Sequence, residues 1–192
     1  MSFPYPVFLD LQGVPVLVVG GGVIAFRKAS ALAEAGALIT VVAPEIVPEL
    51  SALVASVQRR PYEPGEAANF QLVITATNDA AVNAQVAADA RTAQVWANSA
   101  DDPQNCSFIL PAVTRRGLVT VAVSTGGASP ALAGTVRSRI AEQILTAQVE
   151  AAAVELSRQR AEIHAAGGST ELVEWADRVR EALGDEPGEG SC

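Results

Sequence analysis

Over its first hundred residues the chain alternates short, unbroken apolar runs with amphipathic stretches. Val14–Val19 is the first such run. It reads as a strand buried on both faces, since a strand with one wet face would alternate apolar and polar residues. Gly20-Gly21-Gly22 follows, then an amphipathic helix to Ala35 that Gly36 stops, then a second buried run, Leu38–Ala43. Glu45–Ala55 has helical periodicity and Val57–Arg60 that of a short strand. Leu72–Thr77 reads as another buried strand, Asp79–Arg91 as a helix with Asp79 at its N-cap, and Gln94–Ala97 as a fifth strand. Strand and helix in strict alternation predict an α/β fold, a doubly wound parallel sheet.

From Ser107 the pattern changes. Ser107–Val113 and Leu118–Ser124 read as two strands joined by Thr114-Arg115-Arg116-Gly117, a hairpin rather than a crossover. Ser129-Pro130 supplies an N-cap with proline at the first helical position and opens a long helix to about Ala165, which Gly167-Gly168 breaks. Glu171–Leu183 is a last amphipathic helix, capped by Thr170 and stopped by Gly184, with a frayed acidic end after it. These breaks predict a sheet domain over 1–112, a hairpin-and-helix unit over 113–146 and a small helical domain over 147–192. A hairpin with one helix has too little area for a core of its own. Leu132, Val136, Ile140 and Ile144 recur every four residues as one apolar stripe, so a homodimer through this segment is expected.

Composition narrows the setting. The 192 residues are 49% hydrophobic, ample for a core, yet no unbroken apolar run reaches the roughly 18 residues of a membrane span. The N-terminus has no basic region followed by an apolar stretch, so a cytoplasmic protein is expected. The two cysteines, Cys106 and Cys192, and the single histidine, His164, encode neither a disulfide framework nor a metal-ligand cluster. Residues 1–141 hold 10 acidic and 9 basic side chains, residues 142–192 hold 11 acidic side chains and 4 arginines. That acidic tail repels phosphate backbones and reads as a solvated helical surface, so neither nucleic acid nor membrane is an expected partner.

Gly20-Gly21-Gly22-Val23-Ile24-Ala25 fits G-x-G-x-x-A between a strand and a helix. Glycines there permit a tight turn and a close approach of backbone to a pyrophosphate, and the helix N-terminus adds N–H donors and partial positive charge. Gly20, Gly22, Val23 and Ile24 are therefore candidate cofactor-binding residues in a Rossmann-type site. The acidic residue that usually ends the second strand is missing, because Val42-Ala43-Pro44-Glu45 places its first carboxylate two residues later. Three readings of that segment stay open: Glu45 reaches the ribose hydroxyls, the backbone around Pro44 holds the adenosine, or Glu45 is a first-turn helix residue. No arginine follows this strand to welcome a 2′-phosphate, which points to NAD rather than NADP.

Dehydrogenases on this fold differ in the residue that handles the proton accompanying the hydride. Tyr5 and Tyr62 have no lysine four residues downstream, the zinc ligands of alcohol dehydrogenases are lacking, and His164 lies far along the acidic tail. Asp101 and Asp102 remain, in the loop after the fifth strand, at the carboxyl edge where such sheets bind ligands. Asp-Pro and Asn-Ser are also ordinary turn formers, a purely structural account of the same residues.

Several motifs occur together in order: Arg27-Lys28-Ala29 after the glycine loop, Thr75-Ala76-Thr77-Asn78-Asp79, Asn98-Ser99-Ala100-Asp101-Asp102-Pro103, Ser107-Phe108-Ile109-Leu110-Pro111, and Val123-Ser124-Thr125-Gly126-Gly127-Ala128-Ser129-Pro130. Over residues 3–145 the chain resembles the precorrin-2 dehydrogenase family, the dehydrogenase and ferrochelatase half of siroheme synthase. The resemblance implies oxidation of precorrin-2 to sirohydrochlorin with NAD⁺ and, in bifunctional members, insertion of Fe²⁺. It implies Asp101 as the catalytic carboxylate, a cofactor site that includes Thr77 with Pro44 and Glu45, and a substrate site at Asn98 and the Ser124, Thr125, Gly126, Gly127 loop. Thr125 stands where the family has a serine. Precorrin-2 is a polycarboxylate, so a net-negative protein must gather cations locally; Arg115, Arg116, Arg137 and Arg139 are candidates, Arg115 and Arg137 foremost. The chain's length leaves no room for the methyltransferase domain of the fused enzyme, so a separate methyltransferase is expected to supply precorrin-2. Two rival readings are a nucleotide-sensing regulatory domain and a dehydrogenase for a small carbonyl substrate. The first expects an acid at the end of the second strand and gives no reason for the 98–111 segment.

Overall fold

The computed structural model describes residues 5–100 and 102–184, and the chain divides into two units, Met1–Leu110 and Pro111–Cys192. In the first unit β1 (Pro15–Val19), β2 (Leu38–Val42), β3 (Ser56–Gln58), β4 (Leu72–Thr75) and β5 (Trp96–Ser99) form one parallel sheet in the order β3-β2-β1-β4-β5. The helices α1 (Val23–Glu34), α2 (Pro48–Leu53) and α3 (Ala80–Thr92) cover its two faces. The chain starts in the middle, winds outward to β3, and returns to the other side of β1. The strand order therefore reverses between β1 and β4, and the crevice beyond their carboxyl ends is where such sheets take ligands.

Successive side chains of a strand point to opposite faces, and the unbroken apolar runs feed two cores accordingly. Val16, Val18, Ile39, Val41 and Ile74 pack with Ala25, Ala29 and Leu32 of α1 and Leu50 of α2. Leu17, Val19, Val42, Val73 and Ala97 pack with Val86 and Ala90 of α3. The small residues Ala25 and Ala29 are wholly buried and let α1 lie close against the sheet. On the opposite face the Asp89 carboxylate accepts from the Tyr62 hydroxyl at 2.9 Å, the Gly65 N–H at 2.7 Å and the Gln85 amide at 2.7 Å, which ties α3 to the β3–β4 connection. Burial alone would push the Asp89 carboxyl up; these hydrogen bonds more than offset it and hold the group below its ordinary range.

Several element boundaries differ from expectation. The helix expected over 45–55 begins only at Pro48, because Glu45–Val47 is drawn against the glycine loop, with the Val47 N–H donating to Gly21 O at 2.9 Å. Strand β5 starts at Trp96 because Gln94 adopts φ +59° after α3 and delays the run by two residues. The strand expected over 107–113 begins at Ala112 instead. The single helix expected from 130 to 165 is two, broken at 144–146.

In the second unit β6 (Ala112–Arg116) and β7 (Val119–Val123) pair antiparallel, with only Gly117-Leu118 between them; Arg115 and Arg116 lie in the strand, not in the turn. Helix α4 (Pro130–Gln143) packs on both strands, with the Ser129 hydroxyl capping the Leu132 N–H at 3.2 Å and Pro130 at the first position, as expected. Helix α5 (Ala147–Ala165) opens on its own cap, Thr146 Oγ1 accepting from the Val149 N–H at 3.3 Å. Arg116 staples the junction: its guanidinium donates to Leu145 O at 3.2 Å and to Glu150 Oε2 at 2.9 Å. Where one helix was expected from Glu171, Thr170–Leu172 makes a 3-10 turn and α6 (Trp175–Leu183) follows, ended by Gly184 at φ +66°. The Trp175 indole N–H donates to Thr170 O at 3.0 Å, holding that turn in place. No helix among the described residues is long and apolar enough to cross a membrane.

Candidate active site

The carboxyl edge of the sheet is built around the glycine loop. Gly20 has φ +123°, and a Cβ on it would lie 2.4 Å from Ala76 O at the end of β4. Gly21 is still tighter: its Cβ would meet Glu45 O at 1.8 Å. Two strand ends thus close on the loop from either side, and neither position has room for a side chain. Gly22 differs, since a Cβ there would meet nothing within 4 Å. It is the N-cap of α1 and offers no side chain to the helix's first N–H groups, whereas α3 is capped by Asp79, whose Oδ1 accepts from Ala81 at 2.8 Å and Val82 at 3.2 Å. An uncapped helix N-terminus behind an open glycine is a donor cradle for an anion. Val23 and Ile24, 67% and 49% exposed, flank it with apolar surface. These residues fit a dinucleotide: a cradle for the pyrophosphate and apolar contacts for a flat ring.

The other expected cofactor residues border this edge. Pro44 and Glu45 are exposed in the loop after β2, and Glu45 precedes α2 by three residues, which removes the reading of it as a helix residue. Thr77 follows β4 by two residues: its N–H lies 3.3 Å and its hydroxyl 2.8 Å from Asn83 Oδ1 on α3, and Asn83 Nδ2 returns a bond to Thr77 O at 3.0 Å. Thr77 is thus locked to α3 through its backbone as well as its hydroxyl.

Asp101 lies outside the described residues. Its neighbours are in place. Asp102 Oδ2 accepts from Asn105 Nδ2 at 2.6 Å, so this carboxylate closes the short turn Pro103–Asn105. Asn98, only 5% exposed, accepts from Lys28 Nζ at 3.0 Å and donates to Phe108 O at 3.0 Å, so both ends of its amide are committed inside the protein. Residues 106 and 107 cover the outer edge of β5 with side chains, which is why this stretch is not a strand. Ser107 Oγ accepts from the Ala97 N–H at 2.7 Å, and Cys106 Sγ accepts from the Ser99 N–H at 3.2 Å while lying 3.3 Å from Ser99 O. Satisfying an exposed strand edge in this way blocks pairing with another chain.

The Ser99 hydroxyl, at the end of β5, is buried without a hydrogen-bond partner among the described residues. A buried hydroxyl with no partner costs about 1–3 kcal/mol. We therefore expect Ser99→Ala to leave stability unchanged or raise it by about 1 kcal/mol in urea unfolding. A fall of the same size would mean that the hydroxyl has a partner in solution.

The remaining expected residues belong to the second unit. Ser124 is exposed and its Oγ accepts from the Gly126 N–H at 3.1 Å. Gly126 and Gly127 adopt φ +62° and +88° with open space where a Cβ would stand, leaving their backbone accessible. Thr125 is spoken for, its Oγ1 lying 3.0 Å from both Ser129 N and Ser129 O, where it holds the loop against the start of α4. Arg115 stands on β6 and Arg137 on α4. Three residues of consequence received no site role in the sequence reading: Gly21, an unconstrained position in the motif; Lys28, quoted only as part of the Arg27-Lys28-Ala29 motif; and Cys106. No local pattern marks a thiol that serves a strand edge.

Comparison with known proteins gives the family of the chain. A family model described as "Putative NAD(P)-binding" matches residues 7–112, and one described as "Sirohaem biosynthesis protein central" matches residues 116–143. Siroheme synthase of Pseudomonas putida (strain W619) is 45% identical over 153 residues, 78% of this chain and 33% of that protein. Siroheme synthase of Methylobacillus flagellatus is 38% identical over 188 residues, 94% of this chain and 40% of that protein. The chain thus spans about a third to two fifths of the length of the curated relatives it matches. The solved structure of SirC, precorrin-2 dehydrogenase, superposes with a TM-score of 0.72 at 28% identity, covering 94% of this chain and 98% of that one.

Proposed function

Since the chain belongs to the NAD(P)-binding family found in siroheme biosynthesis proteins, we propose that it oxidises precorrin-2 to sirohydrochlorin with a nicotinamide cofactor. The observation that carries this reading is the cradle at the switch point of the sheet: Gly20 and Gly21 closed in by Ala76 and Glu45, with the uncapped start of α1 behind Gly22. Bound there, the nicotinamide ring supplies a hydride acceptor. The oxidation also releases a proton, and a carboxylate base is enough to take it; Asp101 is assigned that role. Gly22 and the first N–H groups of α1 would hold the pyrophosphate, Val23 and Ile24 would pack on the cofactor, Thr77, two residues past β4, would line it, and Pro44 with Glu45 would meet the adenosine. We assign NAD over NADP because no arginine stands in the segment directly after β2, where Pro44 and Glu45 are.

The substrate carboxylates are assigned to the open Gly126-Gly127 backbone with Ser124, and to Arg115 and Arg137. Asn98 and Thr125 act beneath the surface, as pins for their loops. Insertion of Fe²⁺ into the product belongs to the same reading, with the carboxylate that takes the proton of oxidation accepting the pyrrole protons. Along the stripe on α4, Leu132 and Ile144 are 54% and 57% exposed, which favours a homodimer through this helix. Light scattering that finds a monomer at every concentration would remove that part. A free Cys106 thiol used as a hydrogen-bonding group suits the reducing cytoplasm.

The decisive assay is spectroscopic. Precorrin-2 and NAD⁺ with the purified chain are expected to give the sirohydrochlorin absorption spectrum and NADH in equal amounts. Neither product appearing would exclude the reading and favour a nucleotide-sensing role; NADH formed from a small hydroxy compound but not from precorrin-2 would favour the other dehydrogenase.

A further inference from the structure

The carbonyl that presses on Gly20 belongs to the Ala76–Thr77 peptide, and the other side of that peptide is gripped from α3. Asn83, one turn into the helix, is 8% exposed. Its Oδ1 accepts from the Thr77 N–H at 3.3 Å and its Nδ2 donates to Thr77 O at 3.0 Å, so one side-chain amide holds both backbone groups of a single residue. The hydroxyls of Thr75 and Thr77 reach the same oxygen, the second at 2.8 Å. Asn83 is itself fixed at the start of α3. Its N–H donates to Asp79 O at 3.0 Å, and the Asp79 N–H donates to Thr77 Oγ1 at 3.1 Å.

A trans peptide is planar, with its N–H and C=O pointing in opposite directions. Aiming the Thr77 N–H at Asn83 therefore aims the Ala76 carbonyl away from α3, and Ala76 O lies 2.4 Å from where a Cβ on Gly20 would stand. The preceding peptide is held by the sheet, since the Ala76 N–H donates to Val19 O at 2.8 Å. The Ala76–Thr77 peptide lies beyond that ladder, and Asn83 takes over its N–H. Released on that side, the peptide can rotate, and its carbonyl then leaves the glycine loop.

Packing α3 on the sheet does not need an amide at this position, because an apolar side chain would fill the space without the cost of burying polar atoms. Gripping Thr77 does need one. A carboxylate lacks the donor for Thr77 O, and a hydrocarbon lacks the acceptor as well.

We propose that Asn83 is a positioning residue of the cofactor site: by holding Thr77 from α3 it orients the Ala76 carbonyl against Gly20 and keeps the glycine turn in the shape that meets a pyrophosphate. The inference rests on the cofactor site proposed above.

The test compares the full chain with Asn83→Ala, Asn83→Ser and Asn83→Asp, measuring NAD⁺ affinity by titration, melting temperature, and kcat and KM for NAD⁺ in precorrin-2 oxidation. Asn83→Ala and Asn83→Ser are expected to melt about 5 °C lower and, while fully folded, to bind NAD⁺ about tenfold more weakly, with KM raised to match and kcat within about twofold of the parent. Asn83→Asp keeps an oxygen for the Thr77 N–H and is expected to recover NAD⁺ affinity to within about threefold of the parent even where its melting temperature stays low. If Asn83→Ala fails to fold, Asn83→Ser decides, since its hydroxyl and entering water leave fewer buried groups unpaired. Parental NAD⁺ affinity in folded Asn83→Ala or Asn83→Ser overturns the proposal, and so does affinity that follows melting temperature across all three variants. A parent chain that binds no NAD⁺ overturns the cofactor site itself and takes this role with it.

Discussion

Gly22→Ala should fold like the parent and bind NAD⁺ at least about tenfold more weakly, whereas Gly21→Ala should show its main loss in stability. The two glycines are adjacent, and the sequence motif ranks them the other way round, treating Gly22 as required and Gly21 as free. A methyl at Gly22 enters open space at an ordinary backbone conformation, φ −88°, so the folded state has nothing to lose. That open space is where a pyrophosphate must come close to the first N–H groups of α1, and a methyl group there keeps it away. At Gly21 the methyl would lie 1.8 Å from Glu45 O, a backbone atom that cannot swing aside. Relief requires separating the β2–α2 loop from the glycine loop and breaking the bond from the Val47 N–H to Gly21 O. Overpacking of this kind costs about 3 kcal/mol, or about 10 °C in Tm for a chain of this size. Thermal melts with NAD⁺ titrations check both. Unimpaired NAD⁺ binding by Gly22→Ala would show that the pyrophosphate does not lie over this turn.

That contrast shows which parts of the molecule local sequence can reveal. The three central strands of the sheet were legible because a strand buried on both faces needs a largely apolar run, and Val16–Val19, Ile39–Val42 and Leu72–Ile74 have no other economical use. The caps at Asp79 and Ser129 were legible because capping is decided within four residues. Where expectation failed, the deciding contact came from further off or competed with a stronger pattern. Ile144 and Leu145 continue the stripe of α4 so well that they hide the break behind them, although Thr146 carries the ordinary mark of a helix start. The 107–110 stretch has the residues of a strand, but its ladder positions are taken by the side chains of Ser107 and Cys106 acting on the edge of β5. Gly21 needs its lack of a side chain because of Glu45, 24 residues away. The site divides the same way: the glycine cradle follows from pattern and physics, Asp101 came from family resemblance, and the Lys28–Asn98–Phe108 chain needed the structure.

Asp101→Asn should abolish oxidation, with at least about a hundredfold loss in kcat and NAD⁺ affinity unchanged, while Asp102→Asn should stay within about threefold of the parent. The pair is adjacent and chemically identical, so composition cannot separate them. Geometry gives Asp102 other work: its carboxylate accepts the Asn105 amide at 2.6 Å, and its carbonyl accepts the Asn105 N–H at 3.2 Å and lies 3.3 Å from Cys106 Sγ. An asparagine at 102 keeps an oxygen for the first of these bonds, and the backbone carbonyl is untouched, so the turn survives at a cost of about 1 kcal/mol or less. Asparagine at 101 keeps the size of the side chain and removes its capacity to take a proton, which the oxidation must release for each hydride transferred. Single-turnover formation of NADH from precorrin-2 separates this from slow product release. If Asp102→Asn were the inactive variant, the base would be the carboxylate on the Pro103–Asn105 turn. If neither variant were impaired, the proton would leave to water or to the substrate's own carboxylates, and the loop after β5 would be a binding element only.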